Sequence, residues 1–219
     1  MRENVGRALA RAELQCGKAL VFALALGFTA SAADWKPLFD GKTLTNWRVT
    51  EWLNHGAARV DKGAIYLDHG GPMTGVTYSG PALPTTNYEV RWEAARIKGG
   101  DFFSSLTFPV ADSFCTFVAG GWGGDIIGLS NIDGWDASEN ETRAYFNFDP
   151  ERFYKFRLRV TPQRISAWID DKQVVNVAIE GRTISLRERG GIKLSAPFGF
   201  ASYNTTGAIR NVEYRTAPF

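Results

Sequence analysis

From residue 57 onward, the chain is a succession of short runs rich in Val, Ile, Phe, Tyr, Trp and Thr, separated by Gly, Pro, Asn and Asp. This pattern is typical of β-strands joined by turns, and helical periodicity is nearly absent. So many strands at short spacing predict an all-β fold, an antiparallel sandwich of two sheets. The predicted strands are 57–60, 64–67, 76–79, 88–97, 102–108, 113–118, 126–129, 143–148, 154–160, 164–170, 173–179, 199–203 and 208–215.

Two segments predict which side chains the sheets bury. Side chains alternate between the faces of a strand, so the segment 88–93 separates into an apolar face and a charged face. The apolar face holds Tyr88, Val90 and Trp92, and the charged face holds Glu89, Arg91 and Glu93. The segment 164–175 is typical of a hairpin with Ile165, Ala167 and Ile169 buried and Trp168 on the opposite face, where it is expected to cover a cross-strand neighbour.

The first 32 residues have the pattern of a secretory signal peptide. An uncharged apolar run at 19–28 follows four basic residues and leads into Ala30-Ser31-Ala32, a small-residue cleavage site. A buried helix is the alternative interpretation. With a signal peptide at 1–32, we expect a single domain over residues 33–219 in the periplasm or outside the cell.

Charge and cysteine content narrow the function further. The whole chain has 25 Lys and Arg against 23 Asp and Glu, and cleavage after residue 32 would leave 21 of each. This balance argues against nucleic acid or an anionic membrane as the partner. Of the two cysteines, Cys16 and Cys115, only Cys115 would remain, so the core must supply the stability.

Four stretches together resemble the 3-keto-disaccharide hydrolase domain family. They are 38–47 with Leu-Phe-Asp-Gly-Lys, the strand 88–93, the hairpin 165–175 and the closing stretch 207–215. The resemblance implies a concanavalin A-like jelly roll, a carbohydrate ligand, and a bacterial protein of the periplasm or exterior. Two elements of the family pattern differ: Gly99-Gly100-Asp101-Phe102-Phe103 replaces its Asn-Ser-Gly element, and 197–204 replaces its Gly-x-Ile-Gly-Leu-Gln element.

The resemblance also implies a chemistry, the cleavage of glycosides oxidised to a ketone at carbon 3. The carbonyl acidifies the C2 hydrogen, so the reaction needs a general base and a cation that stabilises the enolate. Glu93 matches the family's strand glutamate and is the predicted base. Arg91, on the same face, and Arg143 are the predicted cations. A purely structural ion pair on the strand face is the alternative for Glu93 and Arg91.

The middle of the chain contains the best sugar-site pattern. Trp122 lies among Gly120, Gly121, Gly123 and Gly124, which would leave its indole open as a platform, although it could instead fill the core. Carboxylates and a second indole nearby could bind sugar hydroxyls. The predicted substrate-binding residues are Glu89, Trp122, Asp125, Trp135, Asp136, Glu139 and Glu141.

Cofactor motifs are absent from the sequence. Neither a Walker loop, a dinucleotide fingerprint nor a Gly-x-Ser-x-Gly element occurs, and His55 and His69 are the only histidines. We expect no cofactor, although Asp133, Asp136, Glu139 and Glu141 could hold a structural Ca²⁺. The same acids could instead pair with Glu93 for ordinary glycoside hydrolysis. A carbohydrate-binding module and a structural domain of the cell envelope remain the alternative functions.

Overall fold

The computed structural model describes residues 34–216, which form two antiparallel sheets packed face to face. The predicted signal peptide lies outside the described residues. The strands are β1 Lys36–Pro37, β2 Trp47–Val49, β3 Ala58–Asp61, β4 Ala64–Leu67, β5 Met73–Tyr78, β6 Tyr88–Gly99, β7 Ser105–Val110, β8 Ser113–Gly121, β9 Ile126–Ser130, β10 Ala144–Tyr145, β11 Tyr154–Val160, β12 Arg164–Ile169, β13 Lys172–Ala178, β14 Gly199–Tyr203 and β15 Thr205–Thr216.

The two sheets are interleaved along the chain. Sheet A has the order β13-β12-β11-β6-β15-β4-β3, with β1 added to β15, and sheet B has the order β10-β9-β8-β7-β14-β5-β2. Within residues 34–216, the one helical segment is a 3₁₀ turn at Ile192–Ser195, and no helix there is long and apolar enough to cross a membrane. The predicted two-sheet antiparallel sandwich is confirmed.

The side chains that alternate toward the inner faces of the strands form the core, as the sequence predicts. Tyr88, Val90 and Trp92 are buried between the sheets, and Trp92 stacks on Phe156 with ring centroids 5.0 Å apart. The predicted hairpin is β12–β13, with Ile165, Ala167 and Ile169 buried. Its Trp168 lies on the outer face of sheet A.

Several predicted strands differ from the observed ones for local reasons. The strand expected at 102–108 begins only at Ser105, because residues 101–104 form a loop at the edge of the site described below. The strand expected at 143–148 is reduced to Ala144–Tyr145. Strands β1 and β2 were not predicted, since runs of two and three residues are too short to show alternation.

Candidate functional site

A cavity of about 380 Å³ opens on the outer face of sheet B. We call it the Trp122 cavity. It combines aromatic rings, a carboxylate, two arginines and four hydroxyl-bearing side chains, which is the mixture expected of a sugar site. The residues that line it include Asp101, Phe102, Ser105, Thr116, Val118, Trp122, Ser130, Arg187, Arg189, Ile192 and Tyr203.

The glycines around Trp122 form the turn between β8 and β9. Gly120, Gly123 and Gly124 all have positive φ angles, and Trp122 itself has φ 48°. A Cβ at Gly124 would lie 2.9 Å from the carbonyl oxygen of Gly100, so this close approach requires glycine. The turn leaves the Trp122 side chain at the cavity, 38% exposed.

Asp101 is the acidic side chain that lines the Trp122 cavity. Burial raises the pKa of Asp101, and this effect exceeds the opposing effects of backbone N–H donors from Phe102, Gly123 and Trp122 and of the Arg96 charge. The Phe102 N–H donates to Oδ1 at 2.7 Å. Asp101 is therefore a positioned carboxyl group whose proton is held more tightly than usual, a property suited to proton transfer.

Asp136 and Arg187 form an ion pair beside the indole. Oδ2 of Asp136 lies 3.0 Å from Nε of Arg187, and the hydroxyl of Ser130 donates to Oδ1 of Asp136 at 3.0 Å. The guanidinium carbon of Arg187 is 5.8 Å from the centroid of the Trp122 ring. These contacts fix a cation at the cavity wall, where developing negative charge on a ligand could be stabilised.

Ser105 supplies a hydrogen-bonding group on the cavity lining. Its side-chain oxygen is buried and has no hydrogen-bond partner within the described part of the chain, although the residue lines the Trp122 cavity. A buried hydroxyl without a partner is energetically costly. A ligand hydroxyl reaching this position would supply the missing hydrogen bond.

A second and larger cavity adjoins the first. Its volume is about 930 Å³, and it shares Arg187 and Arg189 with the Trp122 cavity. Asp136 and Glu139, both predicted substrate-binding residues, line this second cavity. Arg187 and Arg189 therefore border both cavities.

The other predicted residues of this region lie outside both cavities. Trp135 is 58% exposed, and Arg143 donates to the carbonyl of Ser138 at 3.1 Å. The backbone carbonyl of Asp125 accepts a hydrogen bond from the N–H of Phe146.

Three of the four acids proposed for Ca²⁺ pair with arginines. Glu141 and Asp133 both pair with Arg182, at 2.6 and 2.5 Å, whereas Asp136 pairs with Arg187. No group of three or more His, Cys, Asp or Glu side chains between residues 34 and 216 is arranged to hold a metal ion. The geometry of this loop is that of ion pairs with arginine.

The predicted catalytic residues Glu93 and Arg91 lie on the outer face of sheet A. β6 belongs to this sheet, and the core between the sheets separates its charged face from the Trp122 cavity. Glu93 and Arg91 therefore do not share a pocket with Trp122. Glu93 accepts hydrogen bonds from Arg210 Nε at 2.9 Å and Asn211 at 3.1 Å, whereas Arg91 pairs with Glu213 at 2.5 Å.

These contacts determine the protonation of Glu93. Burial by itself would raise the pKa of Glu93, but the hydrogen bonds from Arg210 and Asn211 outweigh it, so the pKa is lowered. A carboxylate stabilised in its charged form is a weak base. Glu89, on the same strand face, is completely buried beneath Arg157, Arg159 and Arg215.

Comparison with known proteins identifies the family. The model of the 3-keto-alpha-glucoside-1,2-lyase-like domain matches residues 34–215. The chain belongs to this family. It is therefore a carbohydrate-related domain, and the family resemblance inferred from its sequence is confirmed. No curated protein matches the chain.

Solved structures show which fold the family member adopts. A Bacillus subtilis protein of unknown function with a galectin-like fold is 10% identical, covers 85% of this chain and 96% of its own, and has a TM-score of 0.58. Carbohydrate-binding module CBM66 from Bacillus subtilis is 13% identical over 78% of this chain and 96% of its own, with a TM-score of 0.51. The Crh5 transglycosylase in complex with NAG is 13% identical over 82% and 85%, with a TM-score of 0.52. The predicted jelly roll is confirmed.

Sequence reasoning did not assign Asp101, Arg187, Arg189 or Tyr203 to the site. One feature of the sequence could have indicated Asp101 as a site residue. It is the single acidic residue between positions 94 and 111, and it directly follows two glycines. Arg187 and Arg189 lie in a segment without regular structure before the 3₁₀ turn. Nothing in the local pattern of such a segment indicates which surface it covers.

Proposed function

We propose that this protein cleaves 3-keto-glycosides in the Trp122 cavity, with Asp101 as the general base. The observation that carries the proposal is the position of Asp101, whose pKa is raised by burial, in one cavity with Arg187, Arg189 and an exposed indole. The family description, a 3-keto-alpha-glucoside-1,2-lyase-like domain, supports the choice of substrate.

The proposed reaction is an elimination. Asp101 takes the proton from C2 of the sugar, and the electron pair of that C–H bond forms the enolate of the 3-ketone, which Arg187 and Arg189 stabilise. The enolate then re-forms the ketone and expels the C1 substituent, so that a C1–C2 double bond forms and the C1–O bond breaks. The proton on Asp101 passes to the leaving oxygen. A carboxyl group of raised pKa suits both steps, since it must accept and then return the proton.

In the proposed reaction, the remaining walls of the cavity bind the sugar and its C1 substituent. The exposed face of Trp122 offers a ring-stacking surface for the sugar, and Tyr203 extends the aromatic lining. The hydroxyl of Ser105, which has no protein partner within residues 34–216, suits a hydrogen bond to a sugar hydroxyl. The adjoining polar cavity around Arg187 leaves room for the C1 substituent.

A pair of matched variants tests this proposal against the alternative base. The purified protein is incubated with a 3-keto-glucoside, and release of the C1 substituent is followed. We expect Asp101→Asn to lower kcat by about 10²–10⁴-fold, the usual contribution of a general base. Glu93→Gln should keep most of the activity. Loss of activity in Glu93→Gln but not in Asp101→Asn would refute the assignment, and absence of turnover by the native protein would refute the reaction.

A second candidate function is binding without catalysis. It is favoured by the Asp136–Arg187 pair, because an arginine already neutralised by a carboxylate is less able to stabilise an enolate. In that case, calorimetry would detect binding of neutral glycosides, Trp122→Ala would weaken it, and no 3-keto-glycoside would be consumed.

We also propose that the protein is exported. The basic residues, apolar run and small-residue site within positions 1–32 support this proposal. N-terminal sequencing of the protein recovered from a secreting host should find a start near residue 33. Recovery of the intact chain in the cytoplasm alone would contradict it.

A further inference from the structure

Arg96 closes the turn that carries Trp122, although it belongs to the opposite sheet. It lies near the end of β6 in sheet A, and its Nη2 donates hydrogen bonds to the carbonyl of Gly120 at 3.4 Å and to the carbonyl of Gly124. These glycines stand two residues before and two residues after Trp122. A single guanidinium group therefore joins both ends of the turn 120–124 and connects it to sheet A.

Two aromatic rings flank the guanidinium group of Arg96. Its central carbon lies 5.3 Å from the ring centroid of Phe103 and 5.6 Å from that of Phe148. Within residues 34–216, Arg96 forms no salt bridge, and its buried Nε has no hydrogen-bond partner. A partly buried cation without a paired carboxylate is energetically costly, and a neutral donor could close the same turn without that cost. The charge of Arg96 is therefore not explained by packing alone.

The charges that act on Arg96 belong to the region of the cavity. Burial lowers the pKa of Arg96, and the negative charges of Asp101 and Asp125 oppose this effect. Asp101 is the proposed base, and Asp125 directly follows Gly124. Arg96 remains a cation, because arginine is not deprotonated in proteins. A constant positive charge therefore acts on a carboxyl group that titrates.

The same turn supplies hydrogen-bond donors to Asp101. Burial raises the pKa of Asp101, whereas backbone N–H donors and the charge of Arg96 lower it. The donors are the N–H groups of Phe102, Gly123 and Trp122. Two of these three donors belong to the turn that Arg96 joins at both ends. Arg96 therefore acts on Asp101 directly through its charge and indirectly through the position of the turn.

Three other charged or titratable side chains line the cavity together with Asp101. They are Arg187 and Arg189, before the 3₁₀ turn, and Tyr203 at the end of β14. Arg96 differs from them because it does not line the cavity and so offers no contact to a sugar bound there. Any effect of Arg96 on the site must be transmitted through the turn or through its charge.

We propose that Arg96 is a positioning residue of the Trp122 cavity, which fixes the turn 120–124 and thereby holds the Trp122 indole and the Asp101 carboxyl group in place relative to each other. Its positive charge stabilises the ionised form of Asp101. The consequence for catalysis rests on the proposed function, in which Asp101 is the base. The consequences for the turn and for the titration of Asp101 are properties of the ligand-free protein and do not require turnover.

Nuclear magnetic resonance of the ligand-free protein tests the two structural consequences. Arg96→Met keeps the apolar part of the side chain and removes the guanidinium group. We expect it to speed amide hydrogen exchange of Trp122 and Gly123 about tenfold, the scale of one hydrogen bond. We also expect it to move the titration of the Asp101 carboxyl group to higher pH. If either quantity stayed at its native value, the inference would be overturned.

Matched variants separate this effect from a general loss of stability, and thermal unfolding confirms that each is folded. Arg59→Met removes an arginine of β3 that pairs with Asp68 and stacks on Tyr66, and it should leave both quantities unchanged. Arg96→Lys keeps the charge but ends one bond short of the two carbonyls, so the Asp101 titration should move less than in Arg96→Met. If Arg96→Met does not fold, native amide exchange at positions 122 and 123 in Arg96→Lys would overturn the inference.

The pH–rate profile tests the consequence for catalysis. With a 3-keto-glucoside as substrate, the rise of kcat/KM with pH should lie at higher pH in Arg96→Met than in the native protein, and kcat should fall by up to about 10²-fold. A residue that only stabilised the fold would lower activity by the same factor at every pH, and that result would overturn the inference. Absence of turnover by the native protein would refute the proposed reaction alone, because the resonance measurements would still decide the role of Arg96.

Discussion

Nε of Arg187 lies 3.0 Å from Oδ2 of Asp136, and this contact joins the segment before the 3₁₀ turn to the loop after β9. The segment before the 3₁₀ turn borders both cavities, whereas the loop after β9 borders the adjoining polar cavity. The pair therefore controls the position of the arginine that faces the indole.

Removing the carboxylate should release Arg187. We expect Asp136→Asn to weaken binding of a glycoside ligand about fivefold, the usual scale of one charge-assisted contact. Calorimetry with a 3-keto-glucoside measures the change in the Asp101→Asn background, where cleavage is blocked. Glu141→Gln is the control, because Glu141 pairs with Arg182 outside the cavities. Equal effects of the two substitutions would contradict the role of the pair.

The exposed indoles of Trp122 and Trp135 should contribute differently to glycoside affinity. Trp122 lines the cavity, whereas Trp135 lies outside both cavities although it is more exposed. We expect Trp122→Ala to lower glycoside affinity about tenfold through loss of ring stacking, and Trp135→Ala to leave it unchanged. Quenching of tryptophan fluorescence by the ligand provides a second measurement. If Trp135→Ala had the larger effect, the sugar site would lie elsewhere.

The pH dependence of cleavage distinguishes the two carboxylates. Burial raises the pKa of Asp101, so a reaction that uses it as the base should gain kcat/KM as pH rises through a value above the ordinary 3.8. Against the effect of burial, hydrogen bonds from Arg210 and Asn211 lower the pKa of Glu93 below its ordinary 4.5, so variants identify the base. Asp101→Asn should abolish the rise in kcat/KM and Glu93→Gln should leave it unchanged; the opposite result would contradict Asp101 as the base.

The buried carboxylate of Glu89 should contribute to stability in a pH-dependent way. Burial alone would raise the pKa of Glu89, but hydrogen bonds from Arg159 and Arg215 lower it overall. Its contribution is therefore present above the unfolded value near 4.5 and is lost as pH falls toward the folded pKa. Urea unfolding at neutral and acidic pH should show this loss in the native protein and not in Glu89→Gln.

The loss of stability caused by Glu89→Gln can also be estimated at neutral pH. Glu89→Gln should lower the free energy of unfolding by about 3 kcal/mol, because it leaves a group of arginines without their buried counter-charge. Glu213→Gln, which removes a more exposed partner of Arg91, should cost less than about 1 kcal/mol. If the two losses were equal, Glu89 would be no more than a surface ion pair.

The strands that the sequence predicted best are those with clear alternation. β4, β11 and β14 match their predicted bounds, since their buried and exposed positions repeat every two residues or form an unbroken apolar run between turns. The shortest strands, β1 and β2, were not predicted. Residues 102–104, just before β7, were predicted as part of a strand, because phenylalanines such as Phe102 and Phe103 are common in strands. In the structure, Phe103 fills the core while Phe102 lines the cavity.

For Trp168, the local sequence pattern predicts the face of the sheet but not the contacting residue. Alternation along β12 predicted that Trp168 lies on the charged face of the sheet. Neither periodicity nor composition could predict that Arg157 would be its cross-strand partner.

The sequence by itself determined the all-β class, the inward faces of the long strands, the family and the open turn around Trp122. These properties depend on neighbours along the chain, on period-two alternation and on glycine's conformational freedom. Only the tertiary structure decided which carboxylate shares a cavity with Trp122. Glu93 and Asp101 are eight residues apart, but one projects from the outer face of sheet A and the other lies in the loop that leads to sheet B, so the core between the sheets separates two groups that the chain places close together.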